Sequence, residues 1–239
     1  MGPLARHALL DNAVWHALGT GDRAFAEERA GARRYRPGVS VFAGVERLDA
    51  AGWAALGALA GPDAEVVVFR AEIGATPGGW TEIFAGHGHQ MVGEALSAPP
   101  ASVPIRPLGA DDTSDMVHLV GLARPGPFLA GTVALGGYVG VCEDGRLLAM
   151  AGERMHLPGL VEISAVCTHP EARGRGLGAA VTAQVAAAIA ARGATPFLHV
   201  AEDNHGARRI YERLGFVTRR MVDVRVVRTP PGPPPTAGN

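Results

Sequence analysis

The chain has 239 residues, 47% hydrophobic and 19% charged, with a formal net charge of −1, which suits a globular protein of one large domain or two modest ones. All 22 basic residues are arginine, so a Schiff-base lysine and the lysine of a Walker-type phosphate loop are both excluded. Balanced charge leaves no global field to gather nucleic acid or an anionic membrane, and neither is expected as a partner.

In chain order, Arg6, His7, Asp11 and Asn12 interrupt any signal-peptide core near the start. No stretch reaches the ~20 apolar residues of a membrane span. Val39–Phe42 reads as a strand. Asp49 can cap a helix to about Ala60 with Trp53, Leu56 and Leu59 on one face. Glu65–Ala71 reads as a buried strand and Trp80–Phe84 as another. His87 and His89 look like loop histidines without a third ligand, so no metal is expected. Three prolines between Ser97 and Pro104 mark a linker. The chain therefore divides into an α/β unit at 1–98 with no identifiable chemistry, a linker at 99–104, a second domain at 105–228, and a Pro-rich tail at 229–239 expected to lack structure.

The second domain has a regular order. A short strand at Ile105–Arg106 precedes a helix at 111–122, the Arg124-Pro125-Gly126-Pro127 loop and a helical turn at 131–135. Strands follow at 138–142, 147–156 and 160–168, with turns at Asp144-Gly145 and Pro158-Gly159. A helix at 176–192, a strand at 196–201, a helix at 205–214 and a strand at 216–227 complete a mixed α/β sheet with helices on both faces. The two cysteines, Cys142 and Cys167, form neither a disulfide framework nor a CxxC metal site. A cytoplasmic location is expected.

The most informative segment is Val166-Cys167-Thr168-His169-Pro170-Glu171-Ala172-Arg173-Gly174-Arg175-Gly176-Leu177-Gly178. Glycines alternate where an apolar strand gives way to a helix whose Leu177, Val181, Val185 and Ile189 recur every four residues. A helix start exposes unpaired N–H groups and a positive dipole end, and glycines let a phosphate approach them. Arg173 and Arg175 can add charge-assisted bonds. Three readings compete: a solvent-facing glycine turn, a Rossmann site through Gly174, Gly176 and Ala179, and an acyl-CoA site. Five residues including Pro170 between strand and first glycine fit a tight Rossmann turn poorly.

Arg173-x-x-Gly176-x-Gly178 resembles the acyl-CoA motif R/Q-x-x-G-x-G/A of the GNAT acetyltransferase superfamily. Asn204, Ala207, Tyr211, Gly215 and Phe216 resemble the family's N-x-x-A-x-x-x-Y-x-x-x-G-F. The likeness covers about residues 103–227 and is closest to a group with an extra N-terminal half. It implies a GNAT-like fold in the C-terminal half and acetyl-CoA as co-substrate, with no metal. The cofactor would lie along Val166, Cys167 and Thr168, with its pyrophosphate on Arg173, Gly174, Arg175, Gly176, Leu177, Gly178 and Ala179, and with Asn204 and Ala207 beside the pantetheine arm. Asn204 is equally a plausible plain N-cap.

The resemblance further implies Tyr211 as proton donor to the departing thiolate, Glu162 or His199 as general base, directly or through water, and the Val166 amide as oxyanion donor. Tyr211 could instead be a core residue, Glu162 an arginine partner and His199 a sheet histidine. Arg124 and Phe128 are expected to shape the acceptor groove. The acceptor would be a small-molecule or peptide primary amine, attacked directly in a ternary complex. Oligomeric state is open, a homodimer being one alternative. A CoA-binding sensor without turnover and an NAD-dependent oxidoreductase are the rival functions.

Overall fold

The computed structural model describes residues 3–96 and 103–232. The first half contains α1 (Pro3–Ala8), α2 (Ala13–Gly19), β1 (Ala26–Arg29), β2 (Ala32–Tyr35), β3 (Phe42–Val45), α3 (Ala50–Ala60), β4 (Glu65–Arg70) and β5 (Thr81–Val92). The second contains β6 (Arg106–Pro107), α4 (Thr113–Ala123), β7 (Val139–Glu143), β8 (Arg146–Leu157), β9 (Leu160–Thr168), α5 (Leu177–Ala191), β10 (Thr195–Ala201), α6 (His205–Arg213) and β11 (Val217–Arg228). A 3-10 turn, Ala130–Leu135, occupies the stretch expected to be helical near 131–135.

All the strands join one mixed sheet in the order β1-β2-β3-β4-β11-β5-β10-β9-β8-β7-β6. The order is close to a palindrome. From one edge, the antiparallel strands β1, β2 and β3 lead through α3 to β4, which is parallel to β3. From the other, the antiparallel strands β7, β8 and β9 lead through α5 to β10, which is parallel to β9. At the centre each half inserts its last strand into the other's half of the sheet, so β11 lies between β4 and β5, and β5 between β11 and β10. The seam near 98 is thus not a break in the sheet.

Two elements of the first half carry few apolar side chains. β1 and β2 carry cross-strand charge pairs, Glu27 to Arg34 at 2.7 Å and Glu28 to Arg33 at 3.0 Å, while Ala32 and Tyr35 anchor β2 in the core. By contrast, α2 is anchored by Val14, Ala17 and Leu18, which with Leu10 are fully buried. Together they pack against Phe42, Phe69, Leu160 and Phe197, laying the N-terminal helices over one face of the sheet. On the opposite face α5 and α6 pack on Ile163, Leu198 and Val200 through Val181, Val185, Ile189, Tyr211 and Leu214. The N-terminal helices and α4 therefore share the sheet face that α5 and α6 leave bare.

Three differences from the sequence reading stand out. The strand expected at Val39–Phe42 starts at Phe42, because residues 36–41 turn outward to the 3-10 turn, where the Gly131 N–H donates to the Gly38 carbonyl at 3.0 Å. β5 continues from the expected Trp80–Phe84 to Val92, so His87 and His89 lie on a strand. Thr229, expected in the tail, is buried: its N–H donates to the Ala64 carbonyl at 2.9 Å and its hydroxyl to the Gly61 carbonyl at 2.6 Å. Residues 99–102 of the expected linker and 233–239 of the expected tail lie outside the described residues.

Candidate acyl-transfer site

β9 and β10 pair in parallel only from Leu160–Thr195 to Ile163–Leu198. Beyond that level Ser164–Thr168 and His199–Ala201 part, leaving a wedge between two strands of a continuous sheet. The cause is local. On its other side β9 pairs Ser164 with Gly152 and Cys167 with Met150, so Ala165 and Val166 stand opposite Ala151 alone. This is a β-bulge, and Ala165 adopts φ +53°, a left-handed conformation costly for a residue with a Cβ. A bulge bends its strand and re-aims its peptide groups, which here turns β9 away from β10.

The glycine turn follows at the same end. Gly174 and Gly176 have φ of +80° and +77°, which explains why glycine stands at both, and Gly176 is the N-cap of α5. A Cβ built on either would meet no atom within 4 Å, so the turn is an open cradle, while Gly178 faces the Thr168 hydroxyl. The first-turn amides of α5 have no intrahelical acceptor. The residues present therefore fit a diphosphate. Arg173 is exposed beside the turn. Arg175, expected to aid the phosphate, instead forms a forked pair with Glu143, its Nη1 3.0 Å from Oε2; two exposed side chains make that a weak attachment.

Tyr211 is buried on α6, edge-on to Phe216 with ring centroids 6.2 Å apart. Burial, and then the nearby Cys167, hold its pKa well above the usual phenol value, so the hydroxyl stays protonated. Asn204 caps α6, its Oδ1 accepting from the Ala207 N–H at 3.1 Å, with its amide nitrogen left over for a second partner. Cys167 is buried, and that burial pushes its thiol up to about 12, which disfavours the thiolate form.

The two base candidates meet each other and are both buried. Glu162 has no exposed surface; Arg154 donates to both its oxygens at 2.6 Å and His199 Nδ1 donates to one at 2.7 Å. Burial alone would raise its pKa, but the Arg154 charge and these hydrogen bonds outweigh it and hold the carboxyl at about 2. A carboxylate so satisfied is a poor proton acceptor. Burial lowers the pKa of His199 more than Glu162 raises it, which favours the neutral ring. Its Nε2 accepts from Gln90 Nε2 at 3.0 Å, and the amide orientation is set by Arg219, which donates to Gln90 Oε1 at 2.8 Å. His199 thus has one nitrogen on Glu162, the other on Gln90 and its ring edge-on to Phe69, with centroids 4.1 Å apart. The N-terminal half seals this network: the Leu10 carbonyl accepts from Gln90 and Phe42 lies under the Arg154 guanidinium.

The expected groove residues also separate. Phe128 is buried edge-on to Tyr138, whereas Arg124 is exposed at the left-handed C-cap of α4. Arg154, Gln90 and Tyr138 were not singled out from the sequence, since nothing in their spacing marks them. His87 lies 3.4 Å from Asp223, and His89 lies 3.1 Å from Arg208. Among the described residues no three His, Cys, Asp or Glu side chains gather as a metal set, and no helix is long and apolar enough to cross a membrane.

A wedge between parallel strands, a bulge on one of them and an open glycine turn starting the next helix define an acyltransferase fold rather than a dinucleotide fold. Residues 138–226 match the FR47-like protein family. A GNAT-family structure from Novosphingobium aromaticivorans is 37% identical, with a TM-score of 0.84 over 91% of this chain and 97% of that one. The chain belongs to the GNAT acetyltransferase family. A GCN5-related N-acetyltransferase from Kribbella flavida shares the fold at 22% identity, with a TM-score of 0.61 over 92% of this chain and 97% of that one. Mycothiol acetyltransferase of Mycobacterium avium is 43% identical over 86 residues, covering 32% of this chain but only 27% of that protein. The Mycobacterium leprae protein of the same name is 39% identical over 84 residues, with the same coverage of each chain.

Proposed function

We propose that the protein is an N-acetyltransferase that moves an acetyl group from acetyl-CoA to a primary amine by direct attack in a ternary complex. The observation that carries this reading is the parting of β9 from β10 after Ile163 and Leu198, beside the glycine cradle. Acetyl-CoA, when bound, supplies an acyl group activated as a thioester. The amides from Gly174 to Ala179 hold the pyrophosphate, with Arg173 adding charge. The backbone near Val166 and Thr168 positions the pantetheine arm between the strands, with the Asn204 amide nitrogen on its far side.

At the reacting end, the bulge presents the Val166 N–H to the carbonyl oxygen that gains charge. Tyr211 keeps its proton until the thiolate leaves, when proximity compensates for the unequal acidities. With Glu162 and His199 satisfied by each other and by Arg154 and Gln90, the amine's proton passes to water, and these two residues hold β9 and β10 at the start of the wedge. Their sealing also favours one rival, a CoA-binding sensor without turnover. Thiol release from acetyl-CoA across a panel of amines separates the two: turnover with any amine supports the transferase, whereas tight binding of acetyl-CoA without release supports the sensor. Failure to bind it removes both.

A further inference from the structure

Among the buried side-chain polar atoms that find no partner within the described residues there is a single hydroxyl, that of Tyr138. The residue is 3% exposed and immediately precedes β7. Its ring packs edge-on against Phe128, with centroids 5.7 Å apart, and lies over Gly152 on β8. A Cβ at Gly152 would fall 2.2 Å from its Cδ1 and 2.3 Å from its Cε1, so only glycine permits this placement. Gly152 pairs with Ser164, the residue that opens the β9 bulge. Neighbouring strands lie about 4.8 Å apart, so a ring that crosses β8 at this level carries its hydroxyl toward β9.

The ionisable groups around that hydroxyl agree with this direction: Arg154, Glu162 and Cys167, then Glu153. Cys167 is also the neighbour of Tyr211. Tyr138 packs with Met150 and Cys167 on one face of the sheet, and Tyr211 with Leu198 and Val200 on the other. The two hydroxyls thus approach the parted strands from opposite faces. Arg154 and Glu162 are committed to each other, and Glu153 to His156 and Arg192, so none of them turns to Tyr138. An unpartnered buried hydroxyl costs stability, and phenylalanine would pack equally well there.

We propose that the Tyr138 hydroxyl is an acyl contact, donating a hydrogen bond to the thioester carbonyl oxygen of the acyl donor at the β9 bulge, on the face opposite Tyr211. The phenol keeps its proton and so offers a donor, and that carbonyl oxygen is where negative charge grows during acyl transfer. The inference rests on the acyltransferase reading above.

Titration calorimetry of the full chain and of Tyr138→Phe, each with acetyl-CoA and separately with CoA, tests it. The variant is expected to bind CoA within about twofold of the parent and acetyl-CoA about five- to tenfold more weakly, the size of one net hydrogen bond. Its unliganded melting temperature should equal or exceed the parent's, since only an orphaned oxygen is removed. Equal losses for both ligands, no loss for either, or a melting temperature several degrees lower overturns the assignment. If the parent binds neither ligand, the acyltransferase reading itself fails and the inference goes with it.

Discussion

Arg154 on β8 and Glu162 on β9 face each other through two 2.6 Å hydrogen bonds, the carboxylate fully buried and the guanidinium nearly so. In this family likeness Glu162 is the position from which a base would act; here its carboxylate is buried in an ion pair with Arg154. A buried pair contributes little net stability as long as both partners remain, but removing one strands a charge. Arg154→Met should therefore lower the unfolding free energy by about 3–5 kcal/mol, and Arg154→Met with Glu162→Gln should recover much of that loss. Urea unfolding of the variants measures both; a single-variant loss below about 1 kcal/mol, the level of an exposed pair, would show that Glu162 is not isolated as described.

Alkaline stability should depend on His156. Burial lowers its pKa, but the hydrogen bonds its ring donates to Asp22 and Glu153 outweigh that and raise it to about 9. A pKa raised on folding stabilises fully below the unfolded value near 6.5 and progressively less as pH rises through 9. At most about 3 kcal/mol should vanish across that window. Melts from pH 6 to 10 should show the slope, and His156→Gln should flatten it.

Gly176→Asp should abolish CoA binding while leaving the fold intact, because the added carboxylate repels the diphosphate and its Cβ projects into open space. The left-handed φ adds a destabilisation of about 1–2 kcal/mol. Calorimetry with CoA, checked against a circular dichroism melt, reads the two effects separately, and unchanged affinity would remove the phosphate assignment.

Tyr211→Phe should cut turnover at least tenfold with little change in acetyl-CoA affinity, as expected for a group acting only when the thiolate departs. Steady-state thiol release is the measurement, and a parent-like rate would return Tyr211 to a packing role.

Despite the near-palindromic sheet, one CoA should bind per chain. In the first half the helix start that mirrors the glycine turn belongs to α3, where the Asp49 carboxylate already accepts from the Gly52 N–H at 2.9 Å and places negative charge where a phosphate would sit. A calorimetric stoichiometry near two would contradict this.

The second half was largely legible because its signals are local. Apolar strands ending at Asp144-Gly145 and Pro158-Gly159, the four-residue period from Leu177 to Ile189, and the caps at Gly176 and Asn204 are written within a few residues of the structure they cause. In the first half, Leu10, Val14 and Leu18 formed a four-residue apolar stripe that could have marked the N-terminal helical segment, but the polar residues between them obscured it. β1 and β2 escaped notice because their sequences, AEER and ARRY, show charges rather than alternating apolar residues.

From the order of residues alone came the glycine turn, the helix that follows it, and the positions of Tyr211 and Asn204, since each depends on backbone conformation a few residues wide. Only the folded chain decided that Glu162 and His199 would be sealed, that Gln90 and Arg154 would satisfy them, and that Tyr138 would reach across Gly152. Those contacts join residues tens to more than a hundred positions apart or lie across a strand pairing, and desolvation, which sets their charge and reactivity, is a property of what covers a side chain rather than of the side chain itself.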